Sequence, residues 1–96
     1  MEFEWDSRKN TSNKSKHFID FPTAIKIFDD PDRLEEDSTK PEYNEDRVKI
    51  IGQIKGIPIT LVIIYTHRKK RIRIISARRA NKKESKKYKD SIKTKT

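Results

Sequence analysis

Imidazole, the side chain that titrates closest to neutral pH, occurs at only two positions, His17 and His67. Conventional proton transfer near pH 7 must use one or both of them, or else a Lys, Glu or Tyr moved out of its ordinary range. The second group with evident chemistry is guanidinium, at Arg47 and again at Arg68, Arg71, Arg73, Arg78 and Arg79. A guanidinium stays charged at any working pH, and its planar fork binds two phosphate oxygens at once. Such cations, with an imidazole nearby, suit the gripping and transfer of a phosphodiester. The absence of cysteine removes thiolate nucleophiles, zinc–thiolate centres and disulfide frameworks together.

The charge is unevenly distributed. Residues 1–66 carry 10 Lys/Arg against 13 Asp/Glu, whereas residues 67–96 carry 14 against 2, a local excess of +12 within a chain of net charge +9. A polyanion is the natural partner for the C-terminal third, RNA or DNA first, with ribosome surfaces and acidic proteins also qualifying. The N-terminus lacks a basic, then apolar, then small-residue signal, and the longest apolar run, Ile57 to Tyr65, falls far short of the roughly 20 residues that span a bilayer. A cytoplasmic protein with no membrane contact is expected.

A chain of 96 residues encloses one core, and with 41% charged and 31% hydrophobic residues that core must come from a few concentrated stretches. Phe21, Ala24, Ile25 and Phe28 fall at helical spacing, with Asp20 as cap and Pro22 in the first turn, which predicts an amphipathic helix ended by Asp29-Asp30-Pro31. Met1 to Trp5 alternates as a short strand would. The acidic segment from Asp32 to Asp46 reads as a short edge strand plus a mobile loop containing Pro41. Three stretches rich in Ile and Val follow, Arg47 to Ile54, Ile57 to Thr66 and Arg71 to Ala77, joined by connections short enough for hairpins. The middle one is apolar on both faces, which predicts a central position. Asn81 and Glu84 have capping-box spacing and open a Lys-rich helix to about Ile92. The expected fold is α+β: N-terminal helices, an antiparallel meander sheet and a C-terminal helix, one domain over residues 1–92 with a disordered basic tail at 93–96.

Strand alternation places the cations. Arg71 and Arg73 share one face of the last strand, opposite Ile72 and Ile74, and Arg47 and Lys49 likewise share a face. If strand order follows the chain, the first and third meander strands lie about 10 Å apart, so their arginines can straddle one nucleotide. The plainer readings stay open. Arg71 and Arg73 also fit a solvated strand face, Arg78 and Arg79 also fit pairing with the acidic 32–46 segment, His17 fits a residue closing the first helix, and Trp5 fits a core anchor.

The sequence resembles the BrnT toxins, a family sharing the RelE-like fold. The resemblance is carried by Phe3-Glu4-Trp5-Asp6, Lys9, Asn13, Lys16 and His17 in the spacing F-E-W-D-x-x-K-x-x-x-N-x-x-K-H, then by Ile19, Phe21, Ala24, Phe28, Asp30 and Pro31. Arg47, Gly52, Tyr65, Thr66 and Arg68 continue it, the block Arg73-Ile74-Ile75-Ser76-Ala77-Arg78-Arg79-Ala80 is its most specific part, and Glu84 and Tyr88 close it. Two positions depart from the pattern: His67 stands where relatives often carry Glu, and the hairpin Arg68 to Arg71 lacks the usual glycine.

What the resemblance implies is a metal-independent endoribonuclease without cofactor, toxic through loss of translation when free. It also implies neutralisation by a BrnA-like antitoxin with a ribbon-helix-helix domain, operator DNA being bound only by the complex. It further implies a helix over residues 7–16, a segment with no apolar stripe of its own. Metal-free RNA cleavage needs a base for the ribose 2′-hydroxyl, a cation for the pentacoordinate phosphate and an acid for the leaving oxygen. The expected assignment is Arg73 on the scissile phosphate, helped by Arg47 and Arg78, with His67 as acid–base group. Lys16, His17, Arg68, Arg71, Arg79 and Lys82 are expected to contact RNA, and no metal site is expected. A non-catalytic nucleic-acid-binding module or an inactive co-repressor remains the alternative.

Overall fold

The computed structural model describes residues 1–95. Its elements, in chain order, are β1 (Glu2–Glu4), α1 (Ser7–His17), α2 (Phe21–Ala24), β2 (Leu34–Asp37), β3 (Val48–Gln53), β4 (Thr60–Arg68), β5 (Arg71–Arg79) and α3 (Lys82–Lys93). The five strands form one sheet in the order β1-β5-β4-β3-β2. The meander β3-β4-β5 is antiparallel as expected, β2 adds antiparallel at one edge, and β1 adds parallel to β5 at the other. No helix among the described residues is long and apolar enough to cross a membrane.

β4 is central because both its faces are apolar. Leu61, Ile63 and Tyr65 join Phe21, Ala24, Ile27, Ile50, Ile72, Ile74 and Ala77 in the larger core, under α2. Val62 joins Ile51 and Tyr88 in a smaller core on the opposite face, under α3. Trp5 sits against Phe21 with ring centroids 6.0 Å apart, and Phe3 against Phe28 at 4.9 Å, so both anchor the first strand in the larger core.

α1 is a helix without an apolar stripe, and one polar residue explains why it stays docked. Asn13 is buried, and its amide donates to Ala77 O at 2.7 Å and Ile19 O at 2.9 Å while accepting from Ala77 N at 3.1 Å. The amide therefore pairs with the β5 backbone as a neighbouring strand would, beyond the three residues that β1 covers.

Several boundaries differ from the sequence reading, β4 among them running past Thr66 to Arg68. The helix expected through Phe28 is α-helical only to Ala24 and tightens to a 3-10 turn over Ile25–Asp29, which carries Phe28 to within 5.3 Å of the Tyr65 ring. β4 begins at Thr60 rather than Ile57, because Pro58 cannot donate to a ladder and Gly56 turns the chain at φ +83°. β5 continues past Ala77 to Arg79. Of the tail expected at 93–96, Lys93 ends α3, Lys95 N bonds Ile92 O at 3.2 Å, and Thr96 lies outside the described residues.

Candidate nucleic-acid interface

One irregularity in β5 decides which arginines share a surface. Strict alternation would send Arg73 and Arg78 to opposite faces, since they stand an odd number of positions apart. A bulge intervenes: Ile64 pairs with Ser76 but Tyr65 pairs with Ile74, which leaves Ile75 as the extra residue. Ala77 is thereby returned to the core that holds Ile72 and Ile74. Arg78 emerges, across from Val62, on the face that carries Arg71 and Arg73.

Reading across that face gives ordered rows. Glu2, Arg71 and Arg68 form one, and Glu4, Arg73 and Thr66 the next. Thr66 is buried and its hydroxyl donates to Asp46 O at 2.6 Å, which pins the backbone just ahead of Arg47. Ser76, Ile64, Lys49 and Glu36 form a third row, and Arg78, Val62, Ile51 and Leu34 a fourth, the latter covered by α3.

Arg73, Arg71, Arg47 and Arg78 each have a carboxylate partner. Arg73 Nη1 donates to Glu4 Oε2 at 2.7 Å and Arg71 Nε to Glu2 Oε2 at 3.0 Å. Arg47 Nε donates to Glu45 at 3.0 Å, and its guanidinium lies 3.7 Å from the Tyr43 ring centre. At the α3 end, Arg78 grips Glu84 with both Nη atoms, at 2.7 and 2.9 Å. Glu84 also receives Lys49 and the Asn81 N–H, and it is only 6% exposed. The Arg78 contact first, then Lys49 and the Asn81 amide, hold the Glu84 carboxyl far below the usual carboxylate range in spite of its burial.

The BrnT profile, that of a ribonuclease toxin of type II toxin-antitoxin systems, matches residues 5–84. The chain belongs to the BrnT family. A search of curated proteins finds no match to it. The BrnT stretch includes Arg47, Arg73 and Arg78, and Glu2 and Glu4 lie just ahead of it. An RNA-cleaving toxin with an antitoxin partner is what this membership entails.

Several residues that carried the BrnT resemblance turn out to hold the scaffold. Asp30 accepts from Tyr88 Oη at 2.6 Å and Gln53 N at 2.8 Å, joining α3 to β3. Burial, then the Asp30 carboxylate, pushes the Tyr88 phenol above its usual range. Gly52 is needed there, because a Cβ would stand 3.2 Å from Asp30 Oδ2 and 3.3 Å from Ile27 Cβ.

Other expected RNA contacts are dispersed. His67 pairs across the strands with Ile72 and meets Tyr65 edge-on at 5.5 Å, so it points to the α2-covered face, away from Arg73. The expected partnership of His67 with Arg73 is not formed, since alternation along β4 gives Thr66, not His67, to the arginine face. Lys16 and His17 are exposed at the end of α1, followed by Phe18, 89% exposed at φ +61°. Arg79 and Lys82 are exposed at the α3 end. Lys69 turns the β4–β5 hairpin at φ +59°, and four consecutive cations from Arg68 to Arg71 are displayed together. Among the described residues no group of three or more His, Cys, Asp or Glu is placed to hold a metal ion.

The sequence reading missed Glu2 and Glu4. The signal was present in Glu2-Phe3-Glu4: Phe3 faces the core, so its neighbours must face the other way, where the arginines of the adjoining strand lie.

Proposed function

We propose that this chain is an endoribonuclease that cleaves RNA without a metal ion at the end of the sheet face left open by α3. Arg73 holds the scissile phosphate. Arg71, Arg68 and the Lys69-Lys70 turn take flanking phosphates, and Arg47 closes the site from across β4. Arg78 serves the scaffold, through Glu84.

The observation that supports this best is the division of labour in Arg73. It spends Nη1 on Glu4, and the remaining donors of its fork are available to a phosphate. Both side chains of that pair are about one-quarter exposed, at 25% and 26%, so a ligand reaches them without unfolding anything. Fixed cations supply the transition-state charge stabilisation that a metal ion would otherwise give. The family membership supplies the reaction class. Toxicity then follows from loss of translatable RNA, and silence from a BrnA-like ribbon-helix-helix antitoxin whose complex binds operator DNA. The RelE-like reading of the fold belongs to the same proposal.

The test is induced expression of wild type and Arg73→Ala. Growth arrest and RNA decay are expected from wild type alone. Equal arrest and equal decay from both would reject the arginine assignment, and RNA bound but intact with the purified wild type would reject the enzyme.

A further inference from the structure

We propose that Glu4 is the general base of the cleavage reaction, and that its ion pair with Arg73 is the catalytic dyad of this face. The inference rests on the reading of the open face as the cleavage site. A base must stand beside the group that clamps the phosphate, because the attacking 2′-oxygen lies about 3 Å from phosphorus when it attacks. Glu4 meets that requirement: its Oε2 is 2.7 Å from Arg73 Nη1, and the contact leaves Oε1 to accept a substrate proton. Neither histidine does. His67 is turned to the opposite face by strand alternation, and His17 ends α1.

The carboxylate is also well positioned. Phe3 and Trp5, its chain neighbours, are packed into the larger core against Phe28 and Phe21, and Glu4 itself is in register with Arg73 on the adjoining strand. A side chain whose backbone is held on both sides keeps its geometry when substrate arrives. Glu2 repeats the pattern one row out, but it and Arg71 are 72% and 57% exposed, which leaves that pair to solvent.

In the step proposed, Glu4 takes the 2′-hydroxyl proton and the 2′-oxygen bonds to phosphorus. The phosphorus–O5′ bond breaks, and the 5′-oxygen takes a proton from water. The products are a 2′,3′-cyclic phosphate and a 5′-hydroxyl.

A purely electrostatic role for Glu4 makes the opposite forecast, since removing an acid that only masks Arg73 should strengthen RNA binding and leave cleavage intact or faster. The purified full chain is therefore assayed with a synthetic RNA oligonucleotide for cleavage, and with its 2′-deoxy counterpart, which cannot be cut, for affinity. Glu4→Gln is expected to slow cleavage at least ~100-fold with affinity unchanged or tighter, and Glu2→Gln to stay within about threefold of wild type in both. Glu4→Gln cutting at the wild-type rate overturns the proposal and leaves the ribonuclease reading standing, whereas a wild type that cuts nothing overturns both. The ends of the wild-type products give an independent check: 2′,3′-cyclic phosphates are expected, and 5′-phosphate ends would exclude attack by the 2′-oxygen and so Glu4 as its base.

Discussion

The two ends of one sheet face carry the same ion pair in different surroundings. Arg78 and Arg73 lie on the same strand, roughly 15 Å apart along it, and each is bonded to a glutamate at 2.7 Å. Glu84, in the first turn of α3, is buried against the sheet, accepts from two cations and a backbone amide, and by taking the Asn81 N–H completes the capping box of its own helix. Glu4 accepts from one guanidinium, and a quarter of its side chain is in solvent. The difference teaches that an arginine–glutamate pair is a structural device when its carboxylate is saturated and desolvated, and an available pair of reactive groups when it is neither.

The largest effect expected from breaking this contrast is at the closed end. Glu84→Ala strips the carboxylate from Arg78 and Lys49 and the cap from α3, which should lower stability by ~3 kcal/mol, read as a shift of the urea midpoint. The same site has a pH signature. The Glu84 carboxyl is held below its ordinary value near 4.5 in the folded chain, so its contribution is fully present above that value. It fades as pH falls through the lower folded pKa. The stability gap between wild type and Glu84→Gln should therefore narrow below about pH 4.5, and a constant gap down to strongly acid pH would contradict the linkage.

Tyr88→Phe comes next, removing the hydroxyl that bonds Asp30 at 2.6 Å. A hydrogen bond to a charged group contributes about 1.5–3 kcal/mol, and thermal unfolding should show a loss in that range. At the open end, Glu4→Ala is expected to cost less than ~1 kcal/mol by urea titration, the range of solvent-accessible pairs. A loss equal to that of Glu84→Ala would erase the distinction between the two ends. The smallest effect is opposite in sign. Lys69 holds a left-handed conformation that glycine adopts without strain, so Lys69→Gly should stabilise the chain by about 0.5–1 kcal/mol while making RNA binding less dependent on salt.

Much of this could be read from residue order. The alternation of the three Ile- and Val-rich stretches gave the meander and the central β4, and the Asn81/Glu84 spacing gave the cap of α3, because both patterns depend on neighbours in sequence. The parts that stayed hidden depend on contacts distant along the chain. Alternation could not reveal the bulge at Ile75, and so could not say that Arg78 shares a face with Arg73. The parallel pairing of β1 with β5 joins residues separated by most of the chain, and without it Glu4 has no visible relation to Arg73. Asn13 was recognisable only through family resemblance, since a lone amide in a polar helix has no periodic signature. His67 was favoured on residue type, and one step of strand alternation turns it to the other face.

The most direct measurement follows the arginine Nε–Hε resonances by NMR while the full chain is titrated with a 2′-deoxy-substituted RNA analogue that it cannot cut. Signals of Arg73 and Arg71 are expected to move with saturation while that of Arg78 stays fixed in its contact with Glu84. Movement of Arg78 alone, or of none of the three, would contradict the assignment of the open end as the phosphate site.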